Sequence, residues 1–481
     1  MVKSLKEKTI SALLWNFLDK FSQQIIIFII GIWLARLLTP ANYGLIGMLT
    51  IFIALAPVFL DSGFSVALMR QEKLNDQDVS TVFYFNVFIS LFLYFVLFFS
   101  APLIASFFKH PELVIIARIV FIALIFNSLT IIQTVVFSKQ INFRTLTLVN
   151  ITSTCISGII AIYLAYKGYG VWSLVAQILS LSAIRMVLLW LLSNWRPKLI
   201  FNLQSLRSLL SFSYNLLLAN ILYNGFLNIY SMLIGRIYPV AQLGFFTQGT
   251  KLSDMPVGTL YSTIQNATLP IFSTIQNEKD RLLNAYRKTM RFAAFISFPI
   301  LFGLALIAHP LISILLKTKW IEVVPFFQLL CIGGIFTVLI AVNQNFIKIK
   351  GRSDIILKLE IFKIVLIVVT LILTIKKSIL ILVLGQIIVR FAAYLSNIIF
   401  IGKQIDYSWK KQLWDIFPYF IISILITLPL LKLGSWIEND IVKLSVQVLL
   451  ASGLYLLINK MLGSKILNDM LNLIFKKQIK E

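Results

Sequence analysis

A train of apolar runs limits this chain more than any other feature. About fourteen stretches, each close to the roughly 20 residues that cross a hydrocarbon core, follow one another with short polar breaks. They lie near residues 11–38, 43–69, 80–108, 113–137, 147–166, 170–193, 210–236, 242–275, 288–315, 321–347, 355–375, 378–402, 413–432 and 441–459. Backbone in lipid has to satisfy its own polar groups, so runs of this length are expected as helices. The expected fold class is an all-α polytopic membrane protein. Composition agrees: 59% of residues are hydrophobic, 13% are charged and the mean hydropathy is +0.90. No soluble core hides that much apolar surface. The second and eighth runs are long for a simple span, and a bend at Pro57 or Pro256 would accommodate them.

The net charge of +24 would point to nucleic acid in a soluble protein. Here the lysines and arginines sit mostly in the short breaks, where they set orientation instead, and no nucleic-acid partner is expected. With the N-terminus in the cytoplasm, about 27 of the 43 basic residues fall on the cytoplasmic side and about 10 on the other. Both termini are therefore expected inside. MVKSLKEK precedes a run too long for a signal-peptide core and lacks a small-residue cleavage site after it, so an uncleaved first span is expected. Cys155 and Cys331 lie inside apolar runs and offer no disulfide framework. His110 and His309 each precede a proline at a span end with no cluster of ligands beside them, so no metal site is expected. The chain has no GxxxxGK[ST] loop, and ATP hydrolysis by that route is not expected.

The two halves match weakly but in order. GIWLARLLTPANYG at 31–44 parallels IGRIYPVAQLG at 234–244: Arg36 and Arg236, Pro40 and Pro239, then Gly44 and Gly244. Pro57 and Pro256 follow at the same distance, and APLIASFF at 101–108 parallels HPLISILL at 309–316. Six spans per half means that both halves enter the membrane the same way round. That implies a parallel pseudo-repeat with a site between its halves. The expected organisation is a six-helix lobe at 1–200, a second at 201–402, and two additional helices with a cytoplasmic tail at 403–481.

Polar residues at membrane depth mark the candidate site. Asp19 and Lys20 lie in span 1, followed by Gln23 and Gln24. Asn220, Asn224 and Asn228 share one helical face of span 7, with Asn215 and Tyr223 close by. Span 8 carries Gln248, Lys251, Asp254, Gln265 and Asn266, span 10 ends in Asn343, Gln344 and Asn345, and span 12 has Arg390 near its middle. A charge at the bilayer centre costs roughly 2.5–3.5 kcal/mol on insertion scales, so these residues are expected to face a wet cavity. Cations there suit a diphosphate, which makes Lys20, Lys251 and Arg390 its candidate ligands. Amides suit sugar hydroxyls, which makes Asn220, Asn224, Asn228 and Gln248 candidates for a glycan. Asp19 and Asp254 either pair with the lysines or hold a coupling ion. Glu360 and Lys363 lie near a span end and are expected to snorkel. Asn127 and Gln133 suit ties between helices as well as a site.

The stretch LGFFTQGTKLSDMPVGTLYSTIQNATLPIFSTIQ, the run PILFGLALIAHPLISILLKTKW and the N-terminal LWNFLDKFSQQIIIFIIGIWLARLLTPANYGLIGM together resemble polysaccharide transporters. Within the multidrug/oligosaccharidyl-lipid/polysaccharide exporter superfamily, the likeness is to Wzx-type flippases and colanic-acid or teichuronic-acid-type exporters, and it spans nearly the whole chain. The resemblance implies two six-helix lobes forming a V, with two extra C-terminal helices. It implies transfer of an undecaprenyl-diphosphate-linked oligosaccharide across a bacterial cytoplasmic membrane by alternating access. It also implies a driving cation gradient, Na+ or H+, and no other cofactor. Lys20 and Lys251 occupy the spans in which relatives place lumen cations. A polysaccharide polymerase and other assembly proteins would be its partners, and a monomer is expected.

Two other functions compete. A drug or small-cation antiporter of the same superfamily predicts a lumen dominated by acids and aromatics, against which the lysines count. A membrane polymerase or ligase predicts a large external loop, and no break in this chain is long enough, so a transporter and not an enzyme is expected.

Overall fold

The computed structural model describes residues 5–61, 63–71, 74–404 and 407–478, and among them every regular element is helical. The chain divides into two compact units, Met1–Thr247 and Gln248–Glu481. The first holds α1 (Leu5–Leu37), α2 (Pro40–Asp61), α3 (Phe64–Arg70), α4 (Asp76–Phe108), α5 (Leu113–Val120), α6 (Ile122–Lys139), α7 (Phe143–Tyr166), α8 (Val171–Leu192) and α9 (Leu203–Ile237). Helix α10 (Val240–Thr274) begins in the first unit and runs on into the second. The second continues with α11 (Lys279–Leu306), α12 (Ala308–Leu316), α13 (Val323–Ile349), α14 (Ser353–Thr374), α15 (Ile379–Gln404), α16 (Trp409–Gly434), α17 (Asp440–Met461) and α18 (Lys465–Gln478). Among the described residues, eleven helical stretches are long and apolar enough to cross a membrane. Helices α9, α10 and α14 cover the seventh, eighth and eleventh expected spans. This is a multi-pass all-α membrane protein.

Asparagine opens many of these helices. Asn75, Asn142, Asn202 and Asn439 each turn a side-chain oxygen to backbone N–H groups of the first turn of α4, α7, α9 and α17. Three runs expected as single helices are each broken once, that at 113–137 at Phe121 between α5 and α6. The run at 43–69 divides after Asp61, whose carboxylate accepts from Ser65 N at 3.0 Å and Ser65 Oγ at 2.5 Å. Gly63 makes the turn with φ 80°, a region that a Cβ disfavours. The run at 288–315 breaks at Ile307, because Pro310 has no N–H for the carbonyl four residues back and its ring crowds that carbonyl. Pro57 and Pro256, by contrast, sit inside continuous helices.

Close helix crossings depend on missing side chains. A Cβ on Gly44 would meet the Val240 carbonyl oxygen at 2.0 Å, and one on Gly244 would meet that of Pro40 at 1.9 Å. The two matched corners of the repeat thus pack on each other reciprocally, at the starts of α2 and α10. In the second unit, Gly334 of α13 takes Val257 of α10 so closely that a Cβ would lie 2.3 Å from it. Helices α16 and α17, which follow the repeat, dock on α11. Asp415 pairs with Arg287 at 2.9 Å and Arg291 at 2.5 Å and accepts from Tyr407. Tyr455 donates to the Phe295 carbonyl at 2.9 Å. An apolar cleft of about 460 Å³ lies among these three helices, lined by Phe295, Pro299, Phe302, Ile426, Ala451 and Leu456.

Candidate functional site

In the second unit, α10 carries one exposed and strongly polar face. Lys251, Asp254, Gly258, Thr259, Ser262, Thr263 and Asn266 are all exposed along it. From 251 to 266 that face extends about 22 Å at 1.5 Å per residue, most of a hydrocarbon core of about 30 Å. Lipid does not solvate such a surface, so it borders water or polar ligand. The opposite side of α10 is bonded to α13. Tyr261 Oη donates to Gln344 Oε1 at 2.6 Å, and Gln265 Nε2 donates to Tyr261 Oη at 3.0 Å. Asn345 Nδ2 donates to Thr268 Oγ1 at 2.7 Å and to the Gln265 carbonyl at 2.6 Å. Gln265, Gln344 and Asn345 therefore hold helices together. Gln248 is buried, at 4% exposure, and its Oε1 has no partner among the described residues.

Arg390 of α15 is brought to the same helix. On α13, a Cβ at Gly333 would stand in contact with the Arg390 side chain, 3.6 Å from a terminal nitrogen, and one at the next residue, Gly334, would meet Val257 of α10. An acid and a cation singled out separately from the sequence thus share one locality, with Lys251 three residues away on α10. Glu360 and Lys363 form an ion pair at 2.6 Å on α14.

The first unit carries a second polar locality, formed by α1, α7 and α8. Asp19 is half-buried and accepts from Gln23 Nε2 at 2.9 Å and from Asn150 Nδ2 at 3.3 Å. Lys20 is exposed beside it. The asparagine stripe of α9 bonds to itself: Asn224 donates to the Asn220 carbonyl and Asn228 to that of Asn224, each at 2.9 Å. Such back-bonding occupies an amide donor of each and leaves the side-chain oxygens as acceptors. The side chains of Asn215 and Tyr223 lie outside the described ones.

Sequence reasoning missed Arg185. It stands inside the apolar run of α8, and its Nε is buried without a hydrogen-bond partner among the described residues. The signal was present, since the depth test that picked out Arg390 applies equally to an arginine flanked by SAI and MVLLW. Asn150 was also missed. Only the packing of α7 against α1 makes it a partner of Asp19.

A family model described as "Polysaccharide biosynthesis protein" matches residues 33–325. The teichuronic acid biosynthesis protein TuaB of Bacillus subtilis is 28% identical over 302 residues, which span 62% of this chain and 62% of that relative. The succinoglycan biosynthesis transport protein ExoT of Rhizobium meliloti is 24% identical over 341 residues, 70% of this chain and 69% of the relative. Among solved structures, the lipid II flippase MurJ in an inward closed conformation matches with a TM-score of 0.77 at 14% identity, over 94% of this chain and 98% of that one. An inward-facing multidrug resistance MATE family transporter of the MOP superfamily matches with a TM-score of 0.62 at 18% identity, over 83% and 99%. At those identities the structural likeness establishes a MurJ- and MATE-like fold and nothing finer.

Proposed function

This chain belongs to the polysaccharide biosynthesis protein family, and from that premise we propose that it is a flippase for a polyprenyl-diphosphate-linked oligosaccharide. It would act in the cytoplasmic membrane, in the making of a cell-surface polysaccharide, with both termini in the cytoplasm. The observation that carries the reading is the exposed polar face of α10, with Lys251 and the Arg390–Asp254 locality beside it. A long hydroxyl- and amide-bearing surface suits a glycan, and cations beside it suit a diphosphate. Lys20 is the matching cation of the first unit. Asn220, Asn224 and Asn228 offer acceptors for sugar hydroxyls. The relatives named for teichuronic acid and succinoglycan support the substrate class.

Movement would follow alternating access driven by Na+ or H+ at Asp19 or Asp254. A coupling ion biases a conformation only through different affinity for the two states. Binding at a carboxylate that already faces a cation meets that condition, because neutralising the acid changes what the cation attracts.

The test is translocation of a labelled polyprenyl-diphosphate oligosaccharide in proteoliposomes under an imposed ion gradient. The wild type is expected to move it, and Lys251→Ala to lose at least about tenfold in rate, as expected when one charge-assisted contact is lost. A wild-type rate equal to that of protein-free vesicles, with ethidium efflux instead, would replace the flippase with drug antiport. Full activity in Lys251→Ala would keep the function and move the diphosphate to Lys20 and Arg390.

A further inference from the structure

We propose that Arg185 is an oxyanion-binding residue of the first unit, and that the diphosphate it takes replaces Asp19 as its counter-charge. The proposal rests on the flippase reading and adds a site to it.

The geometry of α1, α7 and α8 sets up the argument. Asn150 stands about seven residues into α7, and Arg185 about seven residues before the end of antiparallel α8, so both lie roughly 10 Å in from one membrane face. Asp19 bonds Asn150 and therefore shares that level. A guanidinium offers five N–H donors in a planar fork. Among the described residues no hydrogen bond joins Arg185 to a partner, and its Nε is buried. Asp19 stands at the same level on α1, across α7 from α8, and gives its own acceptor sites to Gln23 and Asn150.

An arginine with only a structural task is filled differently in this chain. Arg287 donates through Nε at 2.9 Å and a terminal nitrogen at 3.2 Å to Asp415. Arg185 is half-buried and, among the described residues, its fork is unfilled, with the cost greatest at its buried Nε. An open fork beside a carboxylate that is already committed elsewhere is an anion site held in reserve.

The ligand class follows from the competition. A monoanionic carboxylate would bring the same charge that Asp19 already supplies, a near-even exchange. A diphosphate brings more charge and presents paired oxygens to the fork, so it outcompetes Asp19. Asp19 then keeps the site from holding its ligand too tightly, as transport requires.

The experiment measures binding of farnesyl diphosphate, and separately of glucuronate, to the purified full chain in detergent, with melting temperature as a control for folding. Arg185→Gln is expected to weaken farnesyl diphosphate binding about tenfold or more, with Arg185→Lys in between. Asp19→Asn is expected to tighten it about threefold or more, and to have no effect on binding when Arg185→Gln is also present. Unchanged affinity in a folded Arg185→Gln protein would overturn the proposal. So would a loss of affinity in Asp19→Asn that parallels a loss of melting temperature, since the pair would then be structural. Glucuronate binding that depends on Arg185, without farnesyl diphosphate binding, would overturn the choice of diphosphate. If the wild type translocates the lipid-linked oligosaccharide while Arg185→Gln binds as the wild type does, only this inference falls. If the wild type neither binds farnesyl diphosphate nor translocates the oligosaccharide, the flippase reading falls with it.

Discussion

Asp415 shows what a satisfied charge looks like in this chain. It is 9% exposed and meets Arg287, Arg291 and Tyr407, which neutralise it and fill its acceptor sites. Truncation to alanine would strand two guanidinium groups and a phenol at the seam between α11 and α16. The arginines are about a third exposed, so water screens part of the loss. Asp415→Ala is expected to destabilise the second unit by about 2 kcal/mol, read as a lowered melting temperature in detergent. Asp415→Asn should lose less, because it keeps an acceptor. A melting curve that matches the wild type would show that α16 docks through its apolar contacts alone. Neither partner could have been found from spacing: Arg287 and Asp415 are 128 residues apart. Charges set within apolar runs were another matter. Lys251, Asp254 and Arg390 were visible from depth alone, and Arg185 was visible by the same test. What depth could not tell is which acid each cation meets, because that depends on how the helices are rotated against one another.

At the scale of elements, hydrophobic periodicity placed the long helices well because each apolar run is bounded by basic or asparagine-rich turns. It missed the internal breaks, since a run of apolar residues reads the same whether or not Asp61 caps a new turn or Pro310 interrupts a ladder. The matched corner motifs, beyond marking the repeat, have a mechanical task. Gly44 and Gly244 let the backbones of α2 and α10 touch, and the atom each meets is a carbonyl oxygen that has no rotamer to yield. Gly44→Ala should therefore force the two helix starts apart and cost roughly 2 kcal/mol or more, as over-packing does. Gly31 on α1 has nothing within 4 Å of its Cβ position, so Gly31→Ala should be neutral or gain up to about 1 kcal/mol from helix propensity. Thermal melts of the two variants side by side check this. Equal melting temperatures would mean that the corner yields without loss.

At the scale of the whole molecule the +24 charge has a direction as well as a size. If lysine and arginine set the orientation, the turn between α7 and α8 faces outward and the turn between α10 and α11 faces the cytoplasm. The fold supplies good reporters for each. Tyr166 is 78% exposed at the end of α7, and Asn277 is exposed in the turn before α11. In a background with Cys155 and Cys331 replaced by serine and alanine, Tyr166→Cys should react with an impermeant maleimide added to intact cells. Asn277→Cys should react only after the membrane is opened. The reverse pattern would invert the chain. It would also turn the Arg185 level toward the outside, because Asn150 and Arg185 lie at the ends of α7 and α8 far from the turn that carries Tyr166. The first cation met by a diphosphate coming from the cytoplasm would then be one deeper in the membrane. Orientation therefore decides whether Arg185 receives the diphosphate or releases it, and the labelling experiment bears on the order of binding events as directly as on topology.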